Sequence, residues 1–246
     1  LSAYRTGAVP GVGARFLAQP DSRVVGIVGP GVIGRSSLAA FMTACPKVDT
    51  VKFKGRDRAS IETFTAWVAA ECPQITTVTE VDSIEAAVRD SDIVTFCATG
   101  ASGDPANYPT VERDWVKPGA LLSMPAICNI DEGMQASDVR KVVDNTRMYV
   151  AWAAEVGYPT HRRESLIGCK FMDMIHEGTM NADDLVDLGA VVTGESEGRR
   201  SEDEIVLLSI GGMPVEDVAW GTTLYRNAVE RGIGTKLNLW ERPVLA

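Results

Sequence analysis

No Cys-x-x-Cys pair occurs in the chain. Its five cysteines (Cys45, Cys72, Cys97, Cys128, Cys169) are odd in number and widely spaced, so neither a disulfide framework nor a zinc site is suggested. Reduced thiols in a cytosolic protein are the expectation. No run of lysine and arginine is long enough to make a nucleic-acid surface, and the formal charge of −9 points the same way. No apolar run approaches the roughly 20 residues of a membrane span. Leu1-Ser2-Ala3-Tyr4-Arg5 lacks the hydrophobic block of a signal peptide. Internal repeats and low-complexity tracts are absent too. What remains is ordinary globular material. With 246 residues, 45% hydrophobic and 23% charged, the chain can bury a full core as one large or two small domains.

The most informative stretch is Val24-Val25-Gly26-Ile27-Val28-Gly29-Pro30-Gly31-Val32-Ile33-Gly34-Arg35. Five mostly β-branched residues read as a buried parallel strand, and a Gly-x-Gly-x-x-Gly turn then opens a stretch of helical period. Gly29 allows the tight bend, Gly31 lets backbone amides approach a pyrophosphate, and Gly34 lets the helix lie close to the strand. The helix that follows points its positive end at the phosphates, with Val32 and Ile33 among the residues expected at the cofactor, while Pro30 removes one donor from the loop. Dinucleotide binding is therefore expected.

Around this unit the spacing predicts a helix over 6–18, capped by Thr6 with Pro10 in its first turn. Gly11 and Gly13 inside it imply that something approaches closely. A helix over 33–44 and a strand over 50–54 follow. At the end of that strand, where a carboxylate would select NAD by bonding the adenine ribose, stand Gly55, Arg56, Asp57 and Arg58. Two guanidinium groups suit the 2′-phosphate of NADP, which is slightly favoured over NAD. The other reading makes Arg56 and Arg58 the solvated start of a helix over 59–72, with Asp57 as its cap. Ile61, Phe64, Trp67 and Val68 give that helix a core face.

Further strands are expected over 76–78, 92–99 and 120–124, with a short helix between the first two begun by Asp82 and Glu85. Ala98 and Thr99 fall at the carboxyl end of the second, the edge where open parallel sheets bind ligands. Beyond them the pattern reads as a helix over 137–143, a strand over 148–151, helices around 165–176 and from 181, a strand over 205–212 and a helix over 215–230. Strands alternating with helices give an α/β fold, a doubly wound Rossmann-type parallel sheet.

Three stretches resemble the ornithine cyclodeaminase/mu-crystallin family: Arg5-Thr6-Gly7-Ala8, the glycine loop, and Gly198-Arg199-Arg200-Ser201-Glu202-Asp203-Glu204-Ile205 running on to Arg231-Gly232-Ile233-Gly234-Thr235. The resemblance implies a Rossmann domain over 6–230 that binds NAD(P), with 1–5 and 231–246 returning to a substrate and dimerisation domain. It also implies that roughly a hundred family residues of that second domain lie upstream of this sequence, or that a partner polypeptide supplies them. A homodimer, a small amino or imino acid substrate and a cytoplasmic location are further implications.

In the family, hydride moves between the nicotinamide and a carbon bearing an amino or imino group beside a carboxylate. Arg5 matches the carboxylate-binding arginine, with Thr6 beside it, and Ser209 and Gly211 match a turn near the nicotinamide. Cyclodeaminases use an aspartate after the strand matching 120–124; here Cys128 falls on its position, and only a three-residue shift brings in Asp131. That departure favours an imine or ketimine reductase, an opine-like dehydrogenase or an amino-acid dehydrogenase. The alternatives are an ornithine-type cyclodeaminase with Asp131 as base, and a non-catalytic NADPH-binding protein of the mu-crystallin kind. His161 and His176 match no catalytic position.

Overall fold

The first element of the computed structural model, which describes residues 2–98 and 104–237, is the helix α1 (Ser2–Leu17). It starts before the expected cap, so Thr6 lies inside it and Pro10 falls in mid-helix. A proline there removes one backbone hydrogen bond and is tolerated only where packing outweighs it. The buried face of α1 runs through Gly7, Pro10, Gly11, Gly13, Ala14 and Leu17. The two suspect glycines mark the expected close approach: a Cβ on Gly11 would lie 2.5 Å from the Cβ of Ala40, and one on Gly13 would overlap Leu208.

The first half of the chain then alternates as read: β1 (Val24–Val28), α2 (Val32–Ala44), β2 (Thr50–Lys54), α3 (Arg58–Glu71), β3 (Thr77–Glu80), α4 (Ile84–Val88) and β4 (Ile93–Phe96). Asp57 caps α3, its carboxylate accepting the Ser60 N–H at 2.9 Å. Ser83 rather than Asp82 caps α4, accepting the Ala86 N–H at 3.0 Å.

Next come β5 (Thr110–Val111), β6 (Leu121–Met124), β7 (Asn129–Ile130), α5 (Glu132–Gln135), β8 (Arg140–Val143), α6 (Thr146–Val156), α7 (His161–Glu164), α8 (Ile167–His176), β9 (Leu185–Asp187), α9 (Leu188–Thr193) and β10 (Val206–Ser209). Two expectations fail here. The segment ending at Val143 is a strand, because Arg140 and Lys141, which look solvated in sequence, are 7% and 4% exposed and spend their charges on backbone carbonyls. Residues 148–151 are helical, because Asn145 caps α6 by accepting the Met148 N–H at 3.2 Å and Gly157, at φ +75°, ends it.

Eight strands form one sheet in the order β3-β2-β1-β4-β6-β10-β8-β9, and every neighbouring pair is parallel. β5 and β7 make a separate parallel pair. Alternate strand residues feed cores on opposite faces: Ile27, Leu121 and Leu208 pack with Phe41, Phe53 and Phe64, while Val94, Leu122 and Leu207 pack with Phe96, Tyr149 and Phe171. The chain leaves β1 towards β2 and β3 and returns on the other side to β4. Ligands of open parallel sheets bind at such a switch point, outside the carboxyl ends of the strands.

The unit just described is Ser2–Gly212; from Met213 the chain forms a second unit. Residues 2–5 are the first turn of α1, and the last helix lies beyond Gly212. That helix, α10 (Pro214–Glu230), opens on a proline, and Glu216 accepts the Met213 N–H at 3.3 Å. Its Val215, Val218, Tyr225 and Val229 are exposed. Among the described residues no helix is long and apolar enough to cross a membrane.

Candidate functional site

At the switch point the three loop glycines differ in what surrounds them. Gly29 has φ +94°, donates to Lys54 O at 2.9 Å, and a Cβ on it would lie 2.5 Å from the Ala98 nitrogen. Gly34 would bring a Cβ within 2.7 Å of Gly29 O and 3.2 Å of Ile27 Cγ2. Both are glycines because backbone crowds them. Gly31 is the opposite case, since a Cβ there would meet nothing within 4 Å among the described residues. It is the cap residue of α2, contributes no side-chain hydrogen bond, and accepts the first intrahelical bond, from Arg35 N–H at 3.0 Å. The N–H groups of Val32, Ile33 and Gly34 precede any intrahelical acceptor, at the positive end of the helix. Helix-end donors beside a cap residue that carries no side chain fit the pyrophosphate of a dinucleotide.

Gly55 is buried, and a Cβ on it would overlap Ile61 and lie 3.3 Å from Pro30 Cγ, so this glycine lets the end of β2 lie close to α3 and the loop. Of the charged residues that follow, Asp57 is held by the Ser60 amide and, at 2.6 Å, by its hydroxyl. Hydrogen bonding to Ser60 keeps its carboxyl below the usual range. Arg58 pairs with Glu80 at 2.6 Å and approaches Glu62 at 3.9 Å, while Arg56 is exposed. Thr99 lies outside the described residues.

Further along the same edge, Ser209, Gly211 and Arg5 are gathered around the end of β10. The Ser209 hydroxyl is buried, accepting the Gly168 N–H at 2.8 Å and pairing with Tyr149 Oη at 2.9 Å, so its bonds run inward to α8 and α6. A Cβ on Gly211 would lie 3.0 Å from the Trp152 ring. Gly212, at φ +81°, has no room for a Cβ because Arg5 Nη1 occupies that space. Arg5 itself is half-buried in α1, with Thr6 half-buried after it.

The residue that sequence reasoning missed is Asp144. It is 5% exposed; its Oδ2 accepts the N–H groups of Gly211 and Gly212 at 2.9 and 2.7 Å, and its Oδ1 that of Asn145 at 3.0 Å. Burial pushes its carboxyl above the usual carboxylate range, against the pull of these amides. An aspartate directly after the apolar Val142-Val143 was the available signal, hidden by the helical reading of that segment.

Two expected catalytic residues are occupied elsewhere. Cys128 is fully buried in the core, and burial pushes its thiol up, the setting of a small apolar packing group. Asp131 caps α5 through Oδ1 on the Met134 N–H at 2.9 Å, and its Oδ2 accepts the Arg113 N–H at 3.2 Å. His161 is buried with Nε2 3.0 Å from Cys128 O, and burial lowers its pKa. His176 stacks on Tyr158 with ring centroids 3.8 Å apart.

The model of a family described as ornithine cyclodeaminase/mu-crystallin matches residues 1–232. The chain is 27% identical over 241 residues to N-((2S)-2-amino-2-carboxyethyl)-L-glutamate dehydrogenase of Staphylococcus aureus, covering 98% of this chain and 65% of the relative. Among solved structures, Delta(1)-pyrroline-2-carboxylate reductase of Thermococcus litoralis in complex with NADH and L-proline superposes with a TM-score of 0.77. The identity there is 25%, over 96% of this chain and 67% of that one. An archaeal alanine dehydrogenase dimer with bound NAD gives a TM-score of 0.74 at 21% identity, over 97% of this chain and 68% of that one. The chain thus spans about two thirds of the length of these relatives.

Proposed function

The chain belongs to the ornithine cyclodeaminase/mu-crystallin family, and from that premise we propose that it is part of an NAD(P)-dependent oxidoreductase acting on the C–N bond of an amino or imino acid. The observation that carries this reading is the open mouth of α2, where Gly31 leaves a gap that its own side chain would fill and three amides are left without intrahelical acceptors. Gly29, Gly31 and Gly34 with the amides of Val32 and Ile33 would hold the pyrophosphate, and Ala98 lies beside them at the carboxyl end of β4. The bound nicotinamide supplies or accepts the hydride.

Arg5, on the same edge, offers a planar pair of donors suited to a substrate carboxylate. That fixed cation orients the neighbouring carbon, and orientation is a large part of what such a site contributes. The capping work of both Asp131 oxygens favours imine reduction or amino-acid dehydrogenation over a cyclodeaminase needing a free base. Asp57 caps α3 and Arg58 pairs with Glu80, as in the reading that makes this segment the start of a helix, so the exposed Arg56 alone is left to favour NADP slightly over NAD. A dimer, as in the archaeal alanine dehydrogenase structure, is the assembly proposed for the whole protein.

The test is absorbance at the nicotinamide band with NADPH or NADH and a panel of α-keto acids, each with and without an amine. The expected result is loss of reduced cofactor only when acid and amine are both present. A flat trace across the panel from protein that binds the cofactor overturns the oxidoreductase reading.

A further inference from the structure

Asp144 stands at the carboxyl end of β8, the neighbour of β10 in the sheet, and its own N–H donates to Ser209 O at 3.1 Å. That register delivers its carboxylate to the turn that follows Ser209. Taking a carboxylate out of water costs several kcal/mol and is tolerable only when charge-assisted hydrogen bonds repay it. Three backbone amides converge on this one, two of them from consecutive glycines. Neither glycine has a side chain with which to anchor itself. Trp152 and Met148 exclude a Cβ from Gly211, and Arg5 Nη1 takes the place of one at Gly212. The turn is therefore held by its amides and read out by the guanidinium.

We infer that Asp144 is a positioning residue of this site: its carboxylate fixes the Gly211–Gly212 turn against which Arg5 lies, and so sets where the substrate carboxylate is held. The inference rests on the proposed role of Arg5. Asp187 supplies the contrast. It ends the adjacent strand β9 and also accepts two backbone amides, from Thr146 and Gly189 at 3.0 Å each, but makes neither of the bonds to Gly211 and Gly212.

The experiment compares wild type with Asp144→Asn, Asp187→Asn and Gly212→Ala, the last displacing Arg5 with Asp144 intact. Three quantities are measured: NADH affinity by fluorescence, KM and kcat for pyruvate with ammonia, and the Arg5 Nε–H resonance with amide exchange at Gly211 and Gly212. Asp144→Asn and Gly212→Ala are expected to raise the pyruvate KM by about tenfold or more, well beyond any loss of NADH affinity. Asp187→Asn should leave that KM alone. The two glycine amides should lose protection and the Arg5 resonance should move in Asp144→Asn. An unchanged KM, or equal losses of keto-acid and NADH affinity, overturns the inference. Should Asp144→Asn not fold, a normal KM in Gly212→Ala overturns it. Should wild type turn over no keto acid, the proposed activity falls instead; an unmoved Arg5 resonance in Asp144→Asn then overturns the positioning role, and a moved one upholds it.

Discussion

A thiol in a core and an imidazole against a carbonyl can each be checked for function with one substitution. The family resemblance puts Cys128 on the position of a cyclodeaminase aspartate, yet it is fully buried with its thiol pKa pushed up. Cys128→Ala is therefore expected to keep kcat and KM near wild type and to cost only stability, about 1 kcal/mol for a small cavity; a large loss of kcat in folded protein would restore a catalytic role. His161 acts through pH. Burial is the main cause of its lowered pKa, with Cys128 O and Asp173 pulling the other way. Above the unfolded value of about 6.5 the ring is neutral in both states and its contribution is complete. As pH falls through 6.5 towards the native pKa, the unfolded chain takes up a proton that the folded one resists. Stability then falls, at up to about 1.4 kcal/mol per pH unit. Denaturant titrations of wild type and His161→Gln between pH 7.5 and 5 should show the steeper acid loss in wild type, and parallel curves would rule this coupling out.

Between elements, α1 and α2 meet through glycine. Gly11→Ala gains about 1 kcal/mol of helix propensity but places a Cβ 2.5 Å from the Cβ of Ala40 and 3.1 Å from Ala40 backbone atoms. Backbone cannot yield as a flexible side chain can, and overpacking costs about 1–3 kcal/mol. The expected result is a net lower midpoint in chemical denaturation; an unchanged or higher midpoint would mean that the helices simply slide apart. This contact also separates what was legible in sequence from what was not. Gly11 and Gly13 announced a close approach, and β1, β2, α2 and α3 were readable because apolar period, breakers and the Asp57 cap agree locally. β8 reads as a helix because two consecutive cations look solvated, whereas Arg140 is buried against the distant Glu197 carbonyl, which no local window contains, and Lys141 against the carbonyls of Gln135 and Val139 just before it. α6 was read as a strand from Tyr149 and Val150, although the Asn145 and Gly157 caps were there to be weighed. Asp144 was lost with β8, since its meaning depends on β10 lying beside it.

Across the whole sheet, one glycine tests whether the switch point is a binding site or only a fold. Gly29→Val should damage both, because φ +94° and the Ala98 backbone exclude any side chain. Gly31→Val should separate them. At φ −77° and ψ −160° Gly31 is in extended backbone open to any residue, and nothing among the described residues lies within 4 Å of its Cβ position. Replacing a cap glycine by valine costs no more than about 1 kcal/mol, which for a domain of this size lowers Tm by roughly 2–4 °C. Its side chain, however, fills the gap in front of the α2 amides. Wild type with NADH or NADPH at 100 times Kd gains about 2.7 kcal/mol, a rise of roughly 5–10 °C. Gly31→Val should start near the wild-type Tm and show no such rise with either cofactor. A full cofactor shift in that variant would mean that the dinucleotide is held elsewhere. Loss of the fold would instead make Gly31 a structural glycine like Gly29, and the open mouth of α2 would no longer support the oxidoreductase.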